Sequence, residues 1–106
     1  MRKITRLACD AFVNGNDMTR ANMHVHHDGD VSRMYLHGNK IAERDGQTVR
    51  ITLAGWPTPT TRERLNGLLE CLHINYRIYQ HKHAQYVGSI LTQDTREVDS
   101  HEWLTL

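Results

Sequence analysis

The chain has 106 residues, with 13 Lys and Arg against 12 Asp and Glu, so its formal charge is +1 with histidines neutral. That length supports one modest hydrophobic core and a single domain over residues 1–106. The balanced charge excludes a polyanion mimic and a strongly basic nucleic-acid coat. No apolar run reaches membrane-spanning length, and no membrane association is expected.

Residues 3–13 place Ile4, Leu7, Ala8, Ala11 and Phe12 at helical spacing. Asn14-Gly15-Asn16 then supplies residues that tolerate the left-handed conformation closing a helix. A polar connector is expected over residues 16–20. From Asn22 the period changes to two: Met23 and Val25 alternate with His24 and His26, and Asp28-Gly29 turns the chain into a second run, Val31 to His37.

The next two turns constrain the register. A two-residue loop at Gly38-Asn39 pairs Leu36 with Ile41. A second tight loop at Asp45-Gly46 then sets Ile41 opposite Arg50 and mixes the faces. A three-residue loop, Arg44-Asp45-Gly46, with Gly46 left-handed in a bulge, pairs Ile41 with Val49 instead. That choice gives an apolar face of Met34, Leu36, Ile41, Val49, Ile51 and Leu53.

Trp56 to Leu72 specifies a second helix. It begins near Pro59 or Thr60, with Thr60 and Glu63 at capping-box spacing, and Leu65, Leu68, Leu69 and Leu72 form one apolar stripe. Asn75 to Gln80 and Ala84 to Ile90 read as a hairpin turning near Lys82, with Tyr76, Ile78 and Val87 inward. Thr92 to Ser100 reads as a polar loop, and Glu102 to Leu106 as a short edge strand or a tail held by Trp103. The expected fold is α+β: an antiparallel sheet of about five strands with two helices packed on one face, in the order α-β-β-β-β-α-β-β.

The other sheet face carries the candidate binding residues. Arg33, Tyr35, His37, Lys40 and Arg50 come from the meander, joined by Arg77, Tyr79 and Tyr86 if both hairpins share one sheet. Guanidinium groups interleaved with aromatic rings suit a partner protein or a nucleic acid, the rings stacking bases and the cations neutralising phosphates. A solvated sheet face is the simpler alternative. The opening of the second helix gathers Thr60, Thr61, Arg62 and Arg64 as an anion site, where free amides meet a positive dipole.

The pairs His24/His26 and His81/His83 would need to meet to hold zinc; exposed histidines are the plainer expectation, so no metal and no cofactor are expected. Cys9 and Cys71 lack a second cysteine at redox-motif spacing and read as thiols in a reducing compartment. No phosphate loop, nucleophile elbow or arguable carboxylate pair occurs, which points to a non-enzymatic protein. An exposed sheet edge allows a homodimer.

Two stretches carry a resemblance. Met34-Tyr35-Leu36-His37-Gly38-Asn39-Lys40-Ile41-Ala42, followed by the run from Ile51 through Trp56-Pro57-Thr58-Pro59 to Asn66, resembles a group of small proteins from tailed bacteriophages. The resemblance brings no activity with it. It implies a phage-encoded accessory protein in the cytoplasm of the bacterial host, of the kind that binds and modulates or inhibits a host or anti-phage defence factor.

Overall fold

In a computed structural model covering residues 1–106, the chain forms an α+β domain. Helices α1 (Lys3–Asn14) and α2 (Pro59–Cys71) accompany nine strands: β1 (Met18–Arg20), β2 (Met23–Asp28), β3 (Val31–Leu36), β4 (Asn39–Asp45), β5 (Thr48–Ile51), β6 (Tyr76–His81), β7 (Ala84–Ser89), β8 (Thr95–Val98) and β9 (Leu104–Thr105). The expected succession of helix, strands, helix, strands holds. The strands divide into two antiparallel sheets, one of six in the order β1-β2-β3-β4-β5-β9 and one of three in the order β6-β7-β8.

Helix α1 ends where Gly15 takes φ +77° and returns its N–H to the Ala11 carbonyl. Its buried face is Thr5, Ala8, Cys9, Ala11 and Phe12, rotated from the predicted stripe so that Ile4 and Leu7 sit at the margin. The rotation has a cause: α1 packs on α2 as well as on β2. At the helix crossing, a Cβ on Gly67 would stand 2.5 Å from Thr5 Cγ2. Glycine in the middle of α2 lets the two backbones approach, at a cost in helix propensity.

Helix α2 starts at Pro59, but its cap is Thr58, whose hydroxyl accepts from the Thr61 N–H at 3.1 Å. Proline at the first helical position has no N–H to satisfy, and the cap falls on the residue before it. The predicted Thr60–Glu63 capping box is therefore not formed. The Glu63 carboxylate turns instead to the Thr5 hydroxyl, the Arg64 guanidinium and the backbone N–H of Arg2. Leu65, Leu68 and Leu69 are buried as expected, while Leu72 lies at the core's edge.

The six expected aliphatics of the meander are all buried: Met34, Leu36, Ile41, Val49, Ile51 and Leu53. The register that buries them differs from the predicted one. The first hairpin turns at His37-Gly38, both at positive φ, pairing Leu36 with Asn39 and Tyr35 with Lys40. The ladder then shifts between Met34 and Tyr35, so that Met34 faces Ala42 and Ile41 is the extra residue of a β-bulge. The second hairpin is a two-residue turn at Gly46-Gln47, pairing Asp45 with Thr48 and Ala42 with Ile51. An extra residue was needed to reconcile two tight turns; it sits inside β4, not in the second loop. Ile41 and Ala42 both point inward as a result.

The second sheet turns at Lys82-His83, as predicted, and buries Ile78, Val87 and Val98. Tyr76 stays 40% exposed. The expected polar loop of residues 92–100 contains β8, which pairs with β7 but carries only one inward aliphatic, Val98. The expected connector of residues 16–20 likewise contains the short edge strand β1. The C-terminal stretch forms edge strand β9 against β5.

Candidate interaction surface

Alternation along β3, β4 and β5 turns Arg33, Tyr35, Lys40 and Arg50 away from the helices. Antiparallel partners share a face, so the pairing of Arg33 with Glu43 and of Glu43 with Arg50 lines these three charges up across the sheet. Glu43 was not among the residues singled out from the sequence. The bulge at Ile41 brings it outward: an unbroken ladder would have set Arg33 against Ala42.

Three cations converge on this one carboxylate. Arg33 Nε and Lys40 Nζ each donate to Glu43 Oε1 at 3.3 Å, and Arg50 Nη2 donates to Oε2. The Arg50 hydrogen bond is the largest influence holding the Glu43 carboxyl below its usual range; burial opposes it, and Lys40 adds to the lowering. Lys40 Nζ and the Arg50 guanidinium also lie over the Trp103 ring, 5.5 and 5.1 Å from its centroid. Trp103 thus does more than hold the tail: it braces two of the three cations. Tyr35 sits beside His24, ring centroids 5.6 Å apart, and His24 stacks on His26 at 6.2 Å. The face is aromatic and keeps a positive excess at its centre, three cations against Glu43 and, at the margin, Asp28 at 4.0 Å from Arg33.

The other candidate residues lie elsewhere. His37 occupies the β3–β4 turn at φ +50° and is exposed there. Arg77, Tyr79 and Tyr86 belong to the second sheet, so the condition that both hairpins share a sheet is not met. Tyr79 and Tyr86 stack on one another with centroids 5.4 Å apart, and the Tyr79 hydroxyl bonds to that of Thr95. Gly88 makes room for this pair: a Cβ there would come within 3.2 Å of the Tyr79 ring.

The helix-opening residues point to different neighbours. Arg62 Nη1 donates to the Pro57 carbonyl at 3.0 Å, Gln80 at 3.2 Å and Gln85 at 3.0 Å, fastening α2 to the second sheet. Arg64 is buried and faces α1, donating to Thr5 at 3.0 Å, Asn22 at 3.4 Å and Glu63. Thr61 is occupied with Thr58, and Thr60 lines a cleft described below. The histidine pairs lie on different sheets, and no three His, Cys, Asp or Glu side chains gather where they could hold a metal ion. Cys9 and Cys71 are free; burial pushes the Cys9 thiol far up, and the neighbouring Cys71 adds to the rise.

A family model described as Kyanoviridae Gp96 protein matches residues 1–105. The chain belongs to the Kyanoviridae Gp96 family. The resemblance to small tailed-phage proteins is thereby established, and it covers nearly the whole Gp96-family chain, not the middle alone. No curated protein and no solved structure matches it. No helix of this family member is long and apolar enough to cross a membrane.

Proposed function

We propose that this phage protein is a non-enzymatic accessory factor that binds a host or anti-phage defence protein in the bacterial cytoplasm and alters its activity, using the Arg33–Lys40–Arg50 face. The supporting observation is the sharing of one carboxylate, Glu43, by three cations braced on Trp103. Such a face holds a positive excess in fixed geometry, which suits an acidic patch on a folded partner. Arginine, tryptophan and tyrosine are also the side chains that most often dominate protein–protein binding energy.

Tagged protein recovered from infected cells should retain a stoichiometric host protein after nuclease treatment, and Arg50→Glu should release it. Loss of every partner on nuclease treatment would count against the proposal. In that event the second reading gains: the same three cations on a flat sheet can follow a phosphate backbone, giving affinity that falls steeply with salt and weakens in Arg50→Glu. One feature favours the protein partner: Tyr79 and Tyr86 belong to the other sheet and stack on each other, so they do not extend this face with rings for base stacking. The outer edges β1 and β8 are free to pair with a second copy.

A further inference from the structure

A cleft of about 470 Å³ opens on the helix-facing side of the larger sheet, between the His37-Gly38 turn and the strap leading into α2. Its floor is Leu36, Ile41 and Leu53, themselves buried in the core, and its rim carries Asn39, Thr58 and Thr60. No Asp, Glu, Lys or Arg lines it. Concave sites of about 300–1,000 Å³ with an apolar floor and a few polar groups are the usual form of small-molecule sites.

Trp56 stands at the rim with 61% of its surface exposed, more than any tyrosine of the chain. Its backbone is fixed. The Trp56 N–H donates to the Leu53 carbonyl at 2.9 Å, and the Thr58 N–H donates to the Trp56 carbonyl at 2.8 Å. Pro57 follows it, and the preceding Gly55 donates to the Ser100 carbonyl at 2.8 Å while packing against the His101 ring. Gly55 takes φ +79°, and a Cβ there would come 2.6 Å from His101 Nε2. The indole therefore projects into water from a strap whose backbone is hydrogen-bonded at three points. Both walls are tight turns at positive φ, His37-Gly38 and Ala54-Gly55.

We propose that this cleft binds an uncharged, planar, ring-bearing small molecule of about nucleoside size, stacked by Trp56 and hydrogen-bonded at the Asn39–Thr58–Thr60 rim. The apolar floor and the absence of a lining Lys or Arg disfavour a buried phosphate or carboxylate; His37, the one titratable residue of the lining, stands at the exposed turn. The exposed indole, carried on a hydrogen-bonded backbone, supplies a stacking surface with only two side-chain torsions to order. The cleft lies on the opposite side of the sheet from Glu43, and this inference stands independently of the proposed partner.

The experiment is a nitrogen–proton NMR titration of the full chain with adenosine, thymidine and indole as uncharged probes, and adenosine monophosphate and cyclohexanol as comparators. Trp56 and Trp103 provide two indole N–H signals, one at the cleft and one remote. At least one uncharged ring probe should move the Trp56 indole and the Thr60 amide saturably, leaving Trp103 unmoved, with the comparators at least tenfold weaker. Thr60→Phe, which fills the cleft, should weaken that probe at least tenfold while the spectrum elsewhere shows the fold intact. Trp56→Ala should do the same to the Thr60 shift. Equal response to cyclohexanol, shifts mapped away from the cleft, or no saturable response to any uncharged ring up to millimolar concentration would overturn the proposal.

Discussion

The side-chain amide of Asn66 on α2 pairs with the backbone of Ile78 on β6, donating to its carbonyl and accepting from its N–H, both at 2.8 Å. Strand β6 is an edge of the three-stranded sheet, and Asn66 takes the place of a missing neighbour strand. Both residues also line a broad groove along α2 and β6. Asn66→Ala should cost about 1–3 kcal/mol, because Ile78 is buried and would keep two unpaired polar groups. Asn66→Asp should also destabilise, since a carboxylate cannot donate to the carbonyl. Urea unfolding followed by circular dichroism measures both; a change below about 0.5 kcal/mol for Asn66→Ala would remove this bracing role.

The contact between Gly67 and Thr5 makes a prediction opposed to helix propensity. On an isolated helix, Gly67→Ala would stabilise by about 1 kcal/mol. Here the new methyl would meet Thr5 Cγ2, so the single variant should be destabilised by about 1–3 kcal/mol. Adding Thr5→Ser, which removes that methyl and keeps the hydroxyl on Glu63, should recover most of the loss. A double-mutant cycle with no coupling would show that the helices separate freely.

Arg64 is 3% exposed and ties Thr5, Asn22 and Glu63 together across α1 and α2. Its Nε has no hydrogen-bond partner, so the cluster already carries some desolvation cost. Arg64→Ala should destabilise by about 3 kcal/mol through a cavity and a stranded carboxylate. Arg64→Met, which fills the space without a charge, should cost clearly less. Equal losses for the two would assign the effect to the ion pair alone.

Acid should weaken the fold through Glu43 and Glu63. The Arg50 and Lys40 hydrogen bonds hold the Glu43 carboxyl low; for Glu63 burial acts upward, but Thr5, Arg64 and the Arg2 N–H outweigh it. Both folded-state values lie below the ordinary 4.5, so the unfolded chain binds more protons in that interval. Their contribution is complete above about pH 4.5 and is lost as pH falls through the folded-state values. Thermal melts from pH 6 down to pH 3 should show a falling midpoint, with a shallower decline in Glu43→Gln and in Glu63→Gln. Unchanged slopes in both variants would refute the assignment.

What the sequence shows and what it hides differ by physical cause. Helix bounds, the six meander aliphatics and the Lys82 turn are local in origin, set by capping residues, glycines and alternation. Strands β1 and β8 escape because edge strands need bury only one side chain, and Val98 alone makes no period. The register error comes from the bulge, whose position depends on packing across strands and leaves no mark in the residue order. Part of the candidate face is legible from alternation alone: Arg33, Tyr35, Lys40 and Arg50. Glu43 and Trp103, which organise it, reach it through a bulge and a distant strand pairing, and neither is a local property.

The extra residue at Ile41 also sets which kinds of genetic change this strand can absorb. Substitution there need only keep the side chain apolar and of similar size. In-frame loss of the Ile41 codon would straighten β4 yet leave Met34 opposite Ala42 and Arg33 opposite Glu43, removing one buried aliphatic without turning the carboxylate inward. The bulge is the strand's spare residue, the one place between the two turns where length can change while both faces keep their side chains.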